Sequence, residues 1–411
     1  MTITCGIDWA EGHHDVALVD ADGRRLAKLR IDTGMTGFTA LIALLAEHVA
    51  DPATVPVAIE SEKVLLVPAL QAAGLTVYPI NPRAVARYRE RTGQAGGKSD
   101  PGDALVLAHI LRTDAQLHRP LTAPSQGAAA VKVLARQHQE AIWARQATVN
   151  QLRSLLMAYF PAAVLAFPVL THKAALQVLL AAPTPAQGRR LTRARIATLL
   201  QRSGRGNHPA QVEQILAHLS APALVLPARP ELAHGRAARA LLGVIVAMQA
   251  GIADLEQAMA DELGQHPDAA LMHAVPGLGP ILTARVLAEI GDDRARFPSA
   301  AGLRAFAGTA PITKASGRSK QVRARHVRNR RLADACHWWA FAAITKSAGA
   351  REHYDRRRAV GDSHNAALRN LANRLLGRLW WCLHNDQEWN ENAAWPRLAA
   401  TTTKRKEALA A

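Results

Sequence analysis

The sequence predicts an α/β fold followed by all-α regions. Three observations predict it. Short β-branched runs alternate with helix-patterned segments over the first eighty or so residues. Two long stretches then carry apolar residues at intervals of three and four. Last, Gly/Pro-rich turns break a helical C-terminal part. The expected architecture is a mixed sheet flanked by helices, then long coiled-coil helices, then a helical domain with a helix-hairpin-helix element.

Taken in order, residues 2–8, 14–20 and 25–32 read as strands, with Asp20-Ala21-Asp22-Gly23 a hairpin turn between the last two. Phe38, Leu41, Leu44 and Leu45 mark a helix over 36–49. Strand 55–60, helix 64–73, strand 75–80 and a basic helix 82–91 follow, and the glycine-rich 92–97 reads as a loop. His13 and His14 are expected to be solvated hairpin residues. The run 126–159 reads as one helix stopped by Pro161. A second, about 232–263, carries the seam Leu241, Ile245, Met248, Ile252, Leu255, Met259. Whether these two helices pair within one chain or between chains is open. Residues 162–230 are Ala/Pro/Leu-rich with arginine clusters, and Ser203-Gly204-Arg205-Gly206 is too short for a phosphate loop. Expected boundaries are 1–125, 126–265, 266–395 and a basic, disordered tail 396–411.

Lys and Arg total 50 against 33 Asp and Glu, a formal charge of +17 across 411 residues. Such an excess calls for a polyanionic partner. No apolar run reads as a bilayer span and the start lacks a signal-peptide layout, so nucleic acid is preferred over membrane. Cys5, Cys336 and Cys382 are scattered without a CxxC pair, which predicts buried thiols in a reducing cytoplasm and no zinc site.

Acids mark the chemistry. Asp8 ends the first strand, Glu60 ends the fourth, and Lys98-Ser99-Asp100-Pro101-Gly102-Asp103 opens a helix with two carboxylates on one face. A solvated capping arrangement is the plain alternative for the Asp pair. Strand-end Asp, strand-end Glu and a helix with two Asp is the order of acids in an RNase H-like (RuvC-like) nuclease domain. Four converging carboxylates need counter-charge, and Mg²⁺ is the usual hard-oxygen partner.

Near the C-terminus, His273-Ala274-Val275-Pro276-Gly277-Leu278-Gly279-Pro280 looks like a helix-hairpin-helix turn, with Gly277 and Gly279 allowing backbone N–H groups to meet a phosphate. A Gly-rich turn between helices is the alternative. Next come Gly308, Pro311 and Lys314-Ala315-Ser316-Gly317-Arg318-Ser319-Lys320, then Arg323, Arg325, His326, Arg328, Arg330 and Arg331. From the residues alone, Ser316 reads as a phosphate-contacting serine among cations. Trp338-Trp339, Phe341 and Trp380-Trp381 read as core aromatics rather than base-stacking ones. Arg351 and Arg356-Arg357-Arg358 read as a phosphate-facing patch or a solvated charged face.

Gly6-Ile7-Asp8-Trp9-Ala10, Ala58-Ile59-Glu60-Ser61, Lys98 to Ala104, and the Ser316-Gly317 run together resemble the DEDD-type transposases of insertion sequences, the RNA-guided bridge recombinases. The resemblance covers roughly 2–115 and 268–385. It implies a RuvC-like domain in which Asp8, Glu60, Asp100 and Asp103 hold Mg²⁺. It also implies a C-terminal transposase domain in which Ser316 is the nucleophile, with Ser319 second. Lys314, Arg318, Lys320, Arg323, Arg325, Arg328 and Arg330 are then the expected nucleic-acid contacts beside Gly277 and Gly279. A Lys-x-Gly-Asn-like segment of the family appears here as Arg325-His326-Val327-Arg328-Asn329-Arg330. The implied partners are donor and target DNA, a structured non-coding bridge RNA, and a homodimer that pairs again on DNA, in a bacterial, nucleoid-associated setting. Two rivals remain: a junction endonuclease that activates water, and a non-catalytic scaffold.

Overall fold

The computed structural model describes residues 3–60, 64–92, 100–204, 209–317 and 319–396, without the side chains of Thr92, Asp100 and Lys320. The chain divides into two compact units, 1–123 and 124–411. The expected loop at 93–97, Lys98, Ser99, Arg205, Gly206, Arg318 and the tail from 397 lie outside the described residues.

The first unit is built on a five-stranded sheet in the order β3-β2-β1-β4-β5. Its strands are β1 (Thr4–Trp9), β2 (His13–Val19), β3 (Arg25–Asp32), β4 (Val57–Ile59) and β5 (Val77–Pro79). β1, β2 and β3 pair antiparallel, whereas β4 and β5 run parallel to β1. Gly23, at φ +88°, closes the β2–β3 turn, where the Arg24 amide donates to the Asp20 carboxylate at 2.8 Å. Helices α1 (Met35–His48) and α2 (Leu66–Ala72) cover one face. Leu41, Leu45 and Leu70 pack there on Cys5, Ile7, Val16, Leu18 and Ile59. Helices α3 (Pro82–Thr92) and α4 (Asp100–Asp114) cover the other, with Leu107, Ile110 and Leu111 packed around Ala58, Ile80 and Val85. The period-two alternation of the strands thus sorts odd residues of β1 to one layer and even residues to the other.

The second unit is helical apart from one ribbon. Helices α5 (Gln126–Tyr159) and α11 (Ala228–Gly264) pack along each other within the chain. Between them lie α6 (Pro161–Ala166), α7 (Lys173–Ala181), α8 (Pro185–Gly188), α9 (Arg193–Arg202) and α10 (Pro209–Ser220). The contact face of α11 is Ala238, Leu242, Ile245, Ile252, Met259 and Leu263, which keeps Ile245, Ile252 and Met259 of the predicted seam but buries Leu242 rather than Leu241. The reason is polar. Gln249 and Glu256 sit on the seam and are satisfied there: Gln249 donates to the Thr171 carbonyl at 2.7 Å and Glu256 pairs with buried His138 at 3.2 Å. The expectation of no bilayer-length apolar run is corrected too. An 18-residue window of α11 reaches mean hydropathy 1.5. Length and composition alone qualify it, which is weak grounds for a membrane in a helix paired along α5.

The remainder comprises α12 (Ala269–His273), α13 (Pro280–Ile290), α14 (Ala300–Ala307), the hairpin β6 (Ile312–Ser316) and β7 (Ser319–Arg323), α15 (Arg330–Ala343), α16 (Ala348–Ala359), α17 (His364–Asn385) and α18 (Glu391–Ala394). Trp339 is fully buried in their core. All three cysteines are free and buried, and burial pushes the Cys5 and Cys336 thiols up to about 12.

Candidate nuclease edge and serine hairpin

Gly6 determines how the acids assemble. A Cβ there would overlap the Ala104 carbonyl oxygen and the Ala108 amide, so only glycine lets α4 lie against β1. The Thr4 hydroxyl fixes the register by donating to the Ala108 carbonyl at 3.0 Å. From Thr4 to Gly6 the strand advances about 6.6 Å, and from Ala108 back to Ala104 the helix advances about 6 Å. One more step along both brings Asp8 to the first turn of α4, where Asp100 and Asp103 stand. On the other flank Ile7 is in register with Ile59, so Asp8 and Glu60 leave neighbouring parallel strands on the α4 face. Asp8 thus ends β1 toward the start of α4, where Asp103 and the backbone of Asp100 stand, and Glu60 follows the neighbouring strand.

Their surroundings differ. Asp8 and Glu60 are half-buried and Asp103 is buried. Arg89 of α3 donates through Nε to Asp103 Oδ1 at 2.8 Å, and its Nη2 meets the same oxygen. Among the described residues no group of three His, Cys, Asp or Glu side chains is close enough to hold one ion, and the Asp100 carboxylate is not among them. The donor chemistry is nonetheless all oxygen, which fits a hard divalent cation.

One acid escaped the sequence reading. Asp15 is directly opposite Asp8 in the β1–β2 register, on the same face, and is 2% exposed. Arg30, opposite it again on β3, grips it with both ends of the guanidinium at 3.2 and 2.9 Å. An inward charge on β2 with a cation at the cross-strand position of β3 was the available signal. His14 is buried, not solvated, and burial lowers its pKa. The expectation failed because β2 begins at His13, inside the sheet.

In the second unit Ser316 is the last residue of β6, exposed and paired with Ser319 across a two-residue turn that opens on Gly317 at φ +54°. Lys314 and Arg323 are exposed on the same ribbon. The basic helix that the family resemblance implies after it begins only at Arg330. Residues 324–329 are coil, and Asn329 caps α15 by accepting from the Leu332 amide at 2.8 Å. The Asn329 amide also donates to buried Glu289 at 2.7 Å, and Arg136 holds Glu289 bidentately at 2.8 and 3.0 Å. Burial raises the Glu289 pKa, but its bonds to Arg136 and Asn329 bring it below the usual carboxylate value. That network anchors Arg328 and Arg330 on either side of Asn329. Arg325 is half-buried and reaches the Ala310 carbonyl at 3.4 Å.

The 274–279 turn packs inward on α15. Gly277, at φ +85°, faces the backbone of Ala343, where a Cβ would come within 2.7 Å of its amide. Trp339 Nε1 donates to the Pro276 carbonyl at 2.9 Å. Gly279 is exposed at the N-cap of α13.

Comparison with known proteins bears on both regions. A DEDD transposase profile of IS110 type matches residues 5–161, and the profile of the transposase IS116/IS110/IS902 family matches 269–355. The first span holds the four acids and the second holds Gly277, Gly279 and Ser316. A mini-circle protein of Streptomyces coelicolor, provisionally named as a transposase for IS117, is 50% identical over 97% of this chain and 98% of its own. An insertion element IS900 protein of Mycobacterium paratuberculosis is 29% identical over 93% and 96%. T. thermophilus RuvC, solved with a Holliday junction substrate, shares 19% identity over 29% of this chain and all of that one; its TM-score of 0.23 is too low to carry an argument. The chain belongs to the IS110-type DEDD transposase family of insertion sequences.

Proposed function

We propose that this transposase cuts and rejoins DNA at a phosphodiester served by both regions. Asp8, Glu60, Asp100 and Asp103 would hold Mg²⁺, which when bound stabilises charge on the phosphoryl oxygens. The pairing of Ile7 with Ile59, which puts Asp8 and Glu60 at the ends of neighbouring parallel strands, and the seating of α4 on Gly6 support this reading. The strand order β3-β2-β1-β4-β5 supports an RNase H-like domain around it. Ser316 Oγ attacks phosphorus, the bond to the 3′ oxygen breaks, and the hydroxyl proton ends on that oxygen. A phosphoserine link and a 3′-hydroxyl result. A 3′-hydroxyl of the other DNA then reverses the step, so bond energy is conserved and no nucleotide cofactor is consumed. Acids and hydroxyl come from different copies of a homodimer that pairs again over donor and target DNA, and a structured bridge RNA chooses the sites.

A denaturing gel of end-labelled DNA with Mg²⁺ tests this. The wild type should give a protein–DNA adduct and Ser316→Ala none. Cuts without an adduct would establish the hydrolytic endonuclease instead, and neither product would establish a scaffold.

A further inference from the structure

The aromatics of α15 do not all belong to the core. Trp339 is fully buried, but Trp338 and Phe341 are each 50% exposed, three residues apart on the outward stripe of the helix. They form a continuous edge-to-face row. His337 meets Trp338 at 5.4 Å between centroids, Trp338 meets Phe341 at 6.2 Å, and Phe341 meets His364 at 6.3 Å. His364 in turn is held by the Tyr354 hydroxyl at 2.7 Å. Contiguous exposed rings on a folded helix mark an interaction surface rather than chance exposure.

The row starts at a cationic cavity of about 490 Å³ that shares His337 with it. Arg328, Arg330 and Arg369 line that cavity, with Asn365 and Trp143. Arg330 lies over the Trp143 ring at 4.6 Å, which pins its guanidinium. The carboxylate in the lining, Asp334, is already paired with Arg285 at 2.6 Å, so the cavity keeps its positive character. Guanidinium groups matched to phosphate, beside half-exposed aromatic rings, form the combination that binds unpaired nucleic acid. A duplex hides its base faces and cannot use the rings.

We infer that the Arg328/Arg330/Arg369 cavity and the Trp338–Phe341 row form a track for a single-stranded nucleic-acid segment, with phosphate in the cavity and bases on the rings. This rests on the proposed function only in taking a polynucleotide as ligand. DNA opened during strand exchange and unpaired RNA share the chemistry.

The test titrates full-length protein into single strands of ~12 nucleotides carrying 2-aminopurine, one DNA and one RNA, and into the matching DNA duplex. Quenching of the single strands is expected. Trp338→Ala/Phe341→Ala should abolish it and weaken binding on the order of tenfold per lost stack. Trp338→Tyr should restore part of it. Arg369→Gln should weaken binding with quenching at saturation intact. Thermal melts of each variant establish that the fold is kept. Quenching in either arm supports the track, and the tighter arm names the strand it serves. The track is overturned if neither strand is quenched, if the double variant behaves as wild type, or if duplex binds as tightly as single strand. Cleavage is measured on the same preparations. Quenching without cleavage would count against the proposed chemistry and not against the track, whereas absent quenching overturns the track whatever the cleavage result.

Discussion

Asp8 and Ser316, the two residues expected to do the chemistry, have opposite kinds of surroundings. Asp8 is half-buried in a strand paired on both sides, with α4 seated two residues away on Gly6. Ser316 is exposed at the end of a two-stranded ribbon, a form that has little stability of its own. A carboxylate that must meet counter-charge is thus set by the register of a sheet. A hydroxyl exposed on a two-stranded ribbon has no such framework around it. Changes in the packing that seats α4 beside Asp8 should therefore register in both folding and chemistry. An isosteric change of the Asp8 carboxylate, like changes at Ser316, should register in chemistry alone.

The largest expected effect breaks or keeps that contrast directly. Asp8→Asn should lower Mg²⁺-dependent strand cleavage by on the order of 10³-fold. DNA binding should stay within about twofold, because the amide keeps the shape and binding rests on the cationic surfaces. Filter binding and a cleavage assay on the same sample decide it. Weakened binding accompanied by unfolding would make Asp8 a structural residue.

A smaller effect sharpens the contrast. Gly6→Ala forces a methyl into the backbone of Ala104 and Ala108, so α4 must shift. A cost of about 1–3 kcal/mol is expected, with reduced cleavage, since the same helix carries Asp103. Gly12→Ala is the control: nothing lies within 4 Å of that position, and stability should change by less than about 0.5 kcal/mol. Chemical denaturation compares them. Equal midpoints for the two variants would mean that α4 does not depend on Gly6.

What the residues disclosed and concealed divides along the same line. Asp8, Glu60 and the α4 acids were legible because strand ends and a Pro-Gly helix start are local signals. Asp15 was not, because its role depends on Arg30 across a strand pair. In the second unit the lengths of α5 and α11 followed from their apolar spacing. Only half of the α11 seam did, since Gln249 and Glu256 occupy the rest through the Thr171 carbonyl before α7 and His138 on α5. The Ser316 ribbon gave no strand signal because its residues face solvent and lack apolar alternation. Trp338 and Trp339 are adjacent letters with opposite fates, and only the packing of α15 tells them apart.

The smallest effect asks which unit yields first in acid. Both units bury histidines whose pKa burial lowers: His14 beside His13 in the first, and His353 and His138 in the second, where for His138 Glu256 partly offsets burial and Arg285 and Arg145 add to it. The unfolded chain takes up these protons first, near the ordinary value of 6.5. Stability is therefore full above that pH and declines as pH falls from there toward the folded pKa, by at most about 1.4 kcal/mol per pH unit for each group. His14→Gln and His138→Gln are neutral at every pH, and each should flatten part of the decline between pH 7 and pH 5 in denaturant midpoints. If His14→Gln flattens it more, the sheet that carries the acids is the acid-sensitive part. If neither variant changes the slope, other histidines that burial lowers, such as His353, govern this window, because a carboxylate such as Glu289, held below its usual 4.5 by Arg136 against the opposing effect of burial, loses its contribution only at lower pH.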